Sequence, residues 1–177
     1  MVAPINHVNH ETVINNIEFA QKALEIHDII PLLSFTRLVD VLASEEGQVN
    51  CRITGGVDES NHAYLALQLQ SNLMLVCQRC MQPMAYQLDF QSRYLLVASE
   101  SEMPAPEDDV GDDDYLLLDK QMRVMDLIED EVLLALPISP LHSEDACSAG
   151  ITKDKDNTPN PFAKLAALKT NSKPGEV

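Results

Sequence analysis

Tryptophan is absent from the 177 residues, aromatics amount to 5%, and only 12 Lys and Arg stand against 28 Asp and Glu. So few aromatics argue against a surface built to stack bases, and so little positive charge makes the chain a poor bare ligand for phosphate. The resulting net charge of −16 suits basic partners instead. No apolar run approaches the roughly 18 residues of a membrane span. The opening MVAPINHVNHETVINN holds no Lys or Arg and no apolar core, unlike a secretory signal, which predicts a cytoplasmic protein. A Gly-rich phosphate loop, a nucleophile elbow and internal repeats are also missing, so catalysis finds no foothold and a non-enzyme is expected.

What is present suffices for one good core: 45% of the residues are hydrophobic, and the length suits a single domain over residues 1–147. The fold class expected is α+β, an antiparallel β-meander with two N-terminal helices, one packed helix near 124–136 and a short C-terminal helix. Val13, Ile17, Ala20 and Leu24 fall at helical spacing over 12–27, with Thr12 as N-cap. SFTRLVDVLASEEG repeats that period, with Gly47 as its stop. From Gln48 the period changes to two, through QVNCRITGGV, HAYLALQLQ, LMLVC and AYQLDFQSRYLLVA, which predicts about four to six strands. Residues 99–114 carry eight acids and no base and read as a solvated, mobile loop, without the carboxylate and glycine spacing of an EF-hand. A short YLLLD strand precedes the helix RVMDLIEDEVLLALP, whose Val124, Leu127, Ile128, Val132 and Ala135 point inward. Glu131 lies at the edge of that stripe, either reaching solvent or partnering a metal-bound histidine.

In a reducing compartment, Cys51, Cys77, Cys80 and Cys147 are thiols or metal ligands before they are disulfides. The CQRC turn brings two sulfurs to one side, and PLHSEDAC offers His142 and Cys147 to complete a tetrahedral zinc set, with Cys51 in reserve. Three readings of the pair stand: structural zinc, reduced thiols with no metal, and a redox couple. The redox reading lacks the helix that follows a thioredoxin-type CxxC, because the residues after Pro83 alternate like a strand. Arg79, between the cysteines, is either a solvated side chain or a contact to phosphate or partner.

Residues 148–159 show no apolar period and read as a flexible linker. In the tail at 160–177, NPFAKLAALK supplies an N-cap in Asn160, a first helical residue in Pro161 and an apolar side of Phe162, Leu165 and Ala166 flanked by Lys164 and Lys169. This short helix is expected to dock, on a partner or on its own domain. Residues 150–177 hold five Lys against three acids, a charge of +2 beside a body at −18, so direct contact with RNA phosphate belongs to the tail before the body.

CQRCMQP, DLIEDEVLLALPISPLHSEDAC and NPFAKLAALK, in this order and at these distances, resemble the YceD family, the large ribosomal RNA subunit accumulation proteins. DLIEDEVLLALPISPLH is the most specific part. The resemblance implies a bacterial, cytosolic, non-catalytic factor for 23S rRNA accumulation and large-subunit assembly, acting on a pre-50S particle through 23S rRNA or a basic ribosomal protein. The second reading is an acidic protein-binding module that holds such a basic protein or an assembly factor.

Overall fold

A computed structural model describes residues 7–104 and 114–147. Its centre is a five-stranded sheet of β2 (Glu25–Pro31), β3 (Gln48–Val57), β4 (Ala63–Val76), β5 (Pro83–Val97) and β6 (Asp114–Leu117), in that spatial order. Strict alternation sends Val49, Cys51, Ile53, Leu65, Leu67 and Leu69 to a buried face. The intervening Gln48, Asn50, Arg52, Gln68 and Gln70 stay on the open one. Register keeps those faces aligned, with Ile53 opposite Leu67 and Cys51 opposite Leu69.

The buried face is covered by α1 (Asn16–Gln21), lying against β3 and β4, and by α2 (Val124–Ala135), lying against β5. A Cβ at Gly55 would meet the Phe19 carbonyl oxygen at 2.7 Å, so the absence of a side chain there is what lets α1 approach β3 so closely. Buried Asn16 donates from Nδ2 to the Leu117 carbonyl and accepts from the Asp119 amide, tying α1 to the end of β6. A two-stranded pair, β1 (Val13–Ile14) with β7 (Met122–Arg123), carries the chain into α2.

Strands β3 to β6 and α2 follow the sequence expectation, with the runs HAYLALQLQ and LMLVC joined in the single strand β4, whereas the N-terminal half corrects it. The helix expected over 12–27 shrinks to α1, capped by the Asn15 side chain on the Glu18 amide and not by Thr12. Ala23 then takes a left-handed φ of 47°, and the chain continues as β2. Ile26 and Ile30 are both buried, and a spacing of four satisfies a strand as well as a helix. The second expected helix is two 3-10 turns, Leu32–Ser34 and Leu38–Val41. Their buried residues Leu32, Phe35 and Leu38 recur every three positions, the 3-10 period. Nor is the sheet wholly antiparallel, since β6 pairs parallel with β5, Tyr94 opposite Asp114. Within the acidic stretch, residues 100–102 form a short 3-10 turn closed by the Ala98 amide on the Glu102 carboxylate. Residues 105–113 of that stretch, the linker 148–159 and the tail helix lie outside the described residues.

Candidate metal centre

β4 ends at Val76 and β5 begins at Pro83, so residues 77–82 must reverse the chain. The turn is closed by the Met81 amide on the Cys77 carbonyl and by the Cys77 amide on the Gln82 carbonyl, with Met81 at φ 59°. Beyond α2, Pro137 stops the helix, and the segment crosses the turn where the Gln78 amide donates to the Pro140 carbonyl at 2.9 Å. A four-residue helical turn, α3 (Glu144–Cys147), returns the last cysteine to the cluster.

Cys77, Cys80, His142 and Cys147 thereby converge, their ligating atoms all within 4.8 Å of one another. The sulfurs of Cys77 and Cys147 are 3.7 Å apart, and the Cys80 sulfur is 3.4 Å from His142 Nδ1. A tetrahedral zinc with bonds of about 2.3 Å to sulfur and about 2.0 Å to nitrogen sets these edges at ~3.8 and ~3.5 Å. The donor set therefore fits zinc in chemistry and in these two spacings. His142 Nε2 meets the Pro83 carbonyl at 3.1 Å; as donor there, it leaves the Nδ1 lone pair turned to the cluster. Burial would raise the Cys77 thiol, but the backbone amides of His142, Cys80 and Arg79 donate to its sulfur and bring it down to about 5, favouring the thiolate a metal requires.

Arg79 turns inward. Its Nε donates to the Cys147 sulfur at 2.9 Å, and its guanidinium reaches the His142 and Ser143 carbonyls. Cys51 is remote from the cluster, packed in the core, and its thiol is pushed up to about 12 by burial, with Asp28 adding to it. Glu131 does not serve His142, whose second nitrogen faces Pro83; it is half-buried beside Tyr94 and Asp114, and burial raises its carboxyl. The partner-binding candidates Pro161, Phe162, Lys164, Leu165 and Lys169 lie outside the described residues.

Sequence reasoning missed Glu129, two residues from the one it singled out. Buried on α2, it accepts from the backbone amides of Arg37 and Leu38 at 2.6 and 3.0 Å, from Thr36 Oγ1 and from Arg37 Nε. Its position four after Met125 and three before Val132 was the available signal, since both neighbours are core residues.

The family model described as "Large ribosomal RNA subunit accumulation protein YceD" matches residues 65–169, more than half of the chain. The chain belongs to the YceD family. A curated relative, the large ribosomal RNA subunit accumulation protein YceD of Haemophilus influenzae, is 25% identical over 167 residues, covering 88% of this chain and 94% of its own. No solved structure matches. Among the described residues, no helix is long and apolar enough to cross a membrane.

Proposed function

We propose that this YceD-family chain is a non-catalytic factor supporting 23S rRNA accumulation and large-subunit assembly in the cytoplasm, with a structural zinc clip at the Cys77 turn. The match over residues 65–169, which spans both halves of the Cys/His cluster, is the observation that carries the reading. Four protein donors fill a tetrahedron and leave no open position for a substrate, the pattern of a structural and not a catalytic zinc. The clip joins the β4–β5 turn to the segment leaving α2, which shapes the surface that a pre-50S particle meets.

A second reading, a protein-binding module for a basic ribosomal protein, is favoured by the acidic charge of the body. Pull-down from lysate across ionic strength, with RNase in a parallel arm, separates the two. Association with large-subunit particles is expected, together with reduced 23S rRNA when the chain is depleted. Particle association lost on RNase treatment while a basic ribosomal protein stays bound favours the module. Absence of large-subunit material at every salt concentration defeats both. Metal analysis of the purified chain should find about one zinc ion per molecule, lost in Cys77→Ser.

A further inference from the structure

Beside the clip, α2 and the residues after it leave an apolar groove of about 640 Å³ between the end of β4, the 3-10 turn at Leu38–Val41 and the Cys77 turn. Val41, Leu75, Met81, Leu134, Ile138 and Pro140 line it, and Asp40 is the single charged residue among its described lining. Met81 and Leu134 are 66% and 77% exposed and Ile138 fully so, a concentration of bare apolar surface that a soluble chain seldom leaves uncovered.

We propose that this groove is the docking site of the chain's own segment 161–169, PFAKLAALK. The described chain ends at Cys147, whose sulfur lies 3.7 Å from that of Cys77, and Gln78 and Met81 of the same turn belong to the groove wall. Twelve residues, 148–159, then separate Cys147 from Asn160. Such a tether spans ~40 Å when extended and ~20 Å as a flexible coil, ample for a groove at its own root. Phe162, Leu165 and Ala166 recur at one helical face to meet the apolar walls, while Lys164 and Lys169 bring positive charge to the side of Asp40.

Tethering gives the segment an effective concentration on the order of millimolar, which a free partner helix must exceed. A second copy is opposed by the −16 charge that each chain carries. The family match ends at Lys169, so it takes in the groove's α2 wall and the whole segment. A nine-residue helix is marginal alone in water, and a preformed groove supplies the missing burial.

Photocrosslinking tests this in the full-length chain carrying Ile138→p-benzoylphenylalanine, a replacement at a fully exposed position. Irradiation of the free protein should join position 138 to residues 160–170 on a monomer-mass product. Adding Phe162→Asp should cut that product about tenfold, the loss of one apolar anchor, with the melting temperature of the body unchanged and the far-UV spectrum losing no more than the helical signal of the nine-residue segment. Crosslinked dimers would assign the groove to a second copy, and adducts arising only when large-subunit particles are added would assign it to a partner; either result overturns the proposal. So does a monomer product that Phe162→Asp leaves at full yield.

Discussion

Helix α2 and the segment that follows it fasten to the same sheet by different means. α2 buries Val124, Met125, Ile128 and Val132 against the sheet and sets Glu129 into the backbone amides of Arg37 and Leu38. The segment from Pro137 to Cys147 buries almost no hydrocarbon: Ile138 and Leu141 are exposed, and its hold is the Cys/His cluster with Arg79 across it. Where apolar period exists, burial carries most of the attachment and a polar pin adds to it; where it does not, discrete polar or metal bonds must substitute. The first kind of attachment is expected to survive loss of a metal, and the second is not.

The largest test breaks the core side. Phe35, buried between the two 3-10 turns, should cost ~3–5 kcal/mol as Phe35→Ala in denaturant unfolding, with the slope unchanged. A loss under ~1 kcal/mol would place Phe35 outside the cooperative core.

Next comes the polar pin within the apolar region. Glu129→Ala strands the Arg37 and Leu38 amides and should cost ~2–3 kcal/mol. Burial acts to raise the Glu129 carboxyl, but the amides of Leu38 and Arg37 and the Arg37 guanidinium outweigh it and hold the group below its ordinary 4.5. A carboxyl lowered on folding adds stability that is present above about pH 4.5 and is lost as pH falls through the folded value. Unfolding of the native chain should therefore steepen with acid below that pH, and Glu129→Gln should flatten the dependence. Parallel curves for the two proteins would remove Glu129 as its source.

The same contrast explains what could be read from the sequence. Strands β3 to β5 were legible because burial alternates over most of their 10, 14 and 15 residues, a period of two that a helix does not give. The N-terminal elements misled because Val13, Ile17, Ala20 and Leu24, and the apolar residues of SFTRLVDVLASEEG, fall at helical spacing, and tertiary partners instead select the short α1, the strand β2 and the 3-10 turns. Glu129 itself takes the amides of Arg37 and Leu38, an interaction 91 residues away in sequence for Leu38 and invisible to any local pattern. The cluster was legible for the opposite reason: Cys and His are few, and their chemistry restricts what four of them can do. Its Arg79 contact was not legible, since nothing in CQRC says which way a side chain at the turn will point.

A smaller effect is expected from breaking the clip. Removing metal with a chelator should lower the melting temperature by about 2–4 °C, on the order of 1 kcal/mol, because the core does not depend on the segment. Amide exchange should accelerate at residues 77–82 and 140–147 while β3 and α2 keep their protection. Global unfolding on chelation would show that the comparison between the two regions is wrong and that the clip nucleates the core.

The smallest effect sits at the seam between them. Tyr86 on β5 donates its hydroxyl to the Ala135 carbonyl at 3.1 Å, satisfying one of the last carbonyls of α2 just before Pro137 turns the chain toward the cluster. Tyr86→Phe keeps the ring and its packing, and should cost about 0.5–1 kcal/mol because the half-buried carbonyl regains water. Its value lies in what happens to zinc. If α2 and the clip are fastened independently, zinc affinity in Tyr86→Phe stays within about twofold of the parent, the scatter expected of additive sites. If the seam transmits strain, the end of α2 moves, His142 moves with it, and affinity falls by more than the stability change alone accounts for. Competition with a colorimetric chelator at equal protein concentration reads the difference directly, and a drop of about tenfold would replace two separate attachments by one coupled unit.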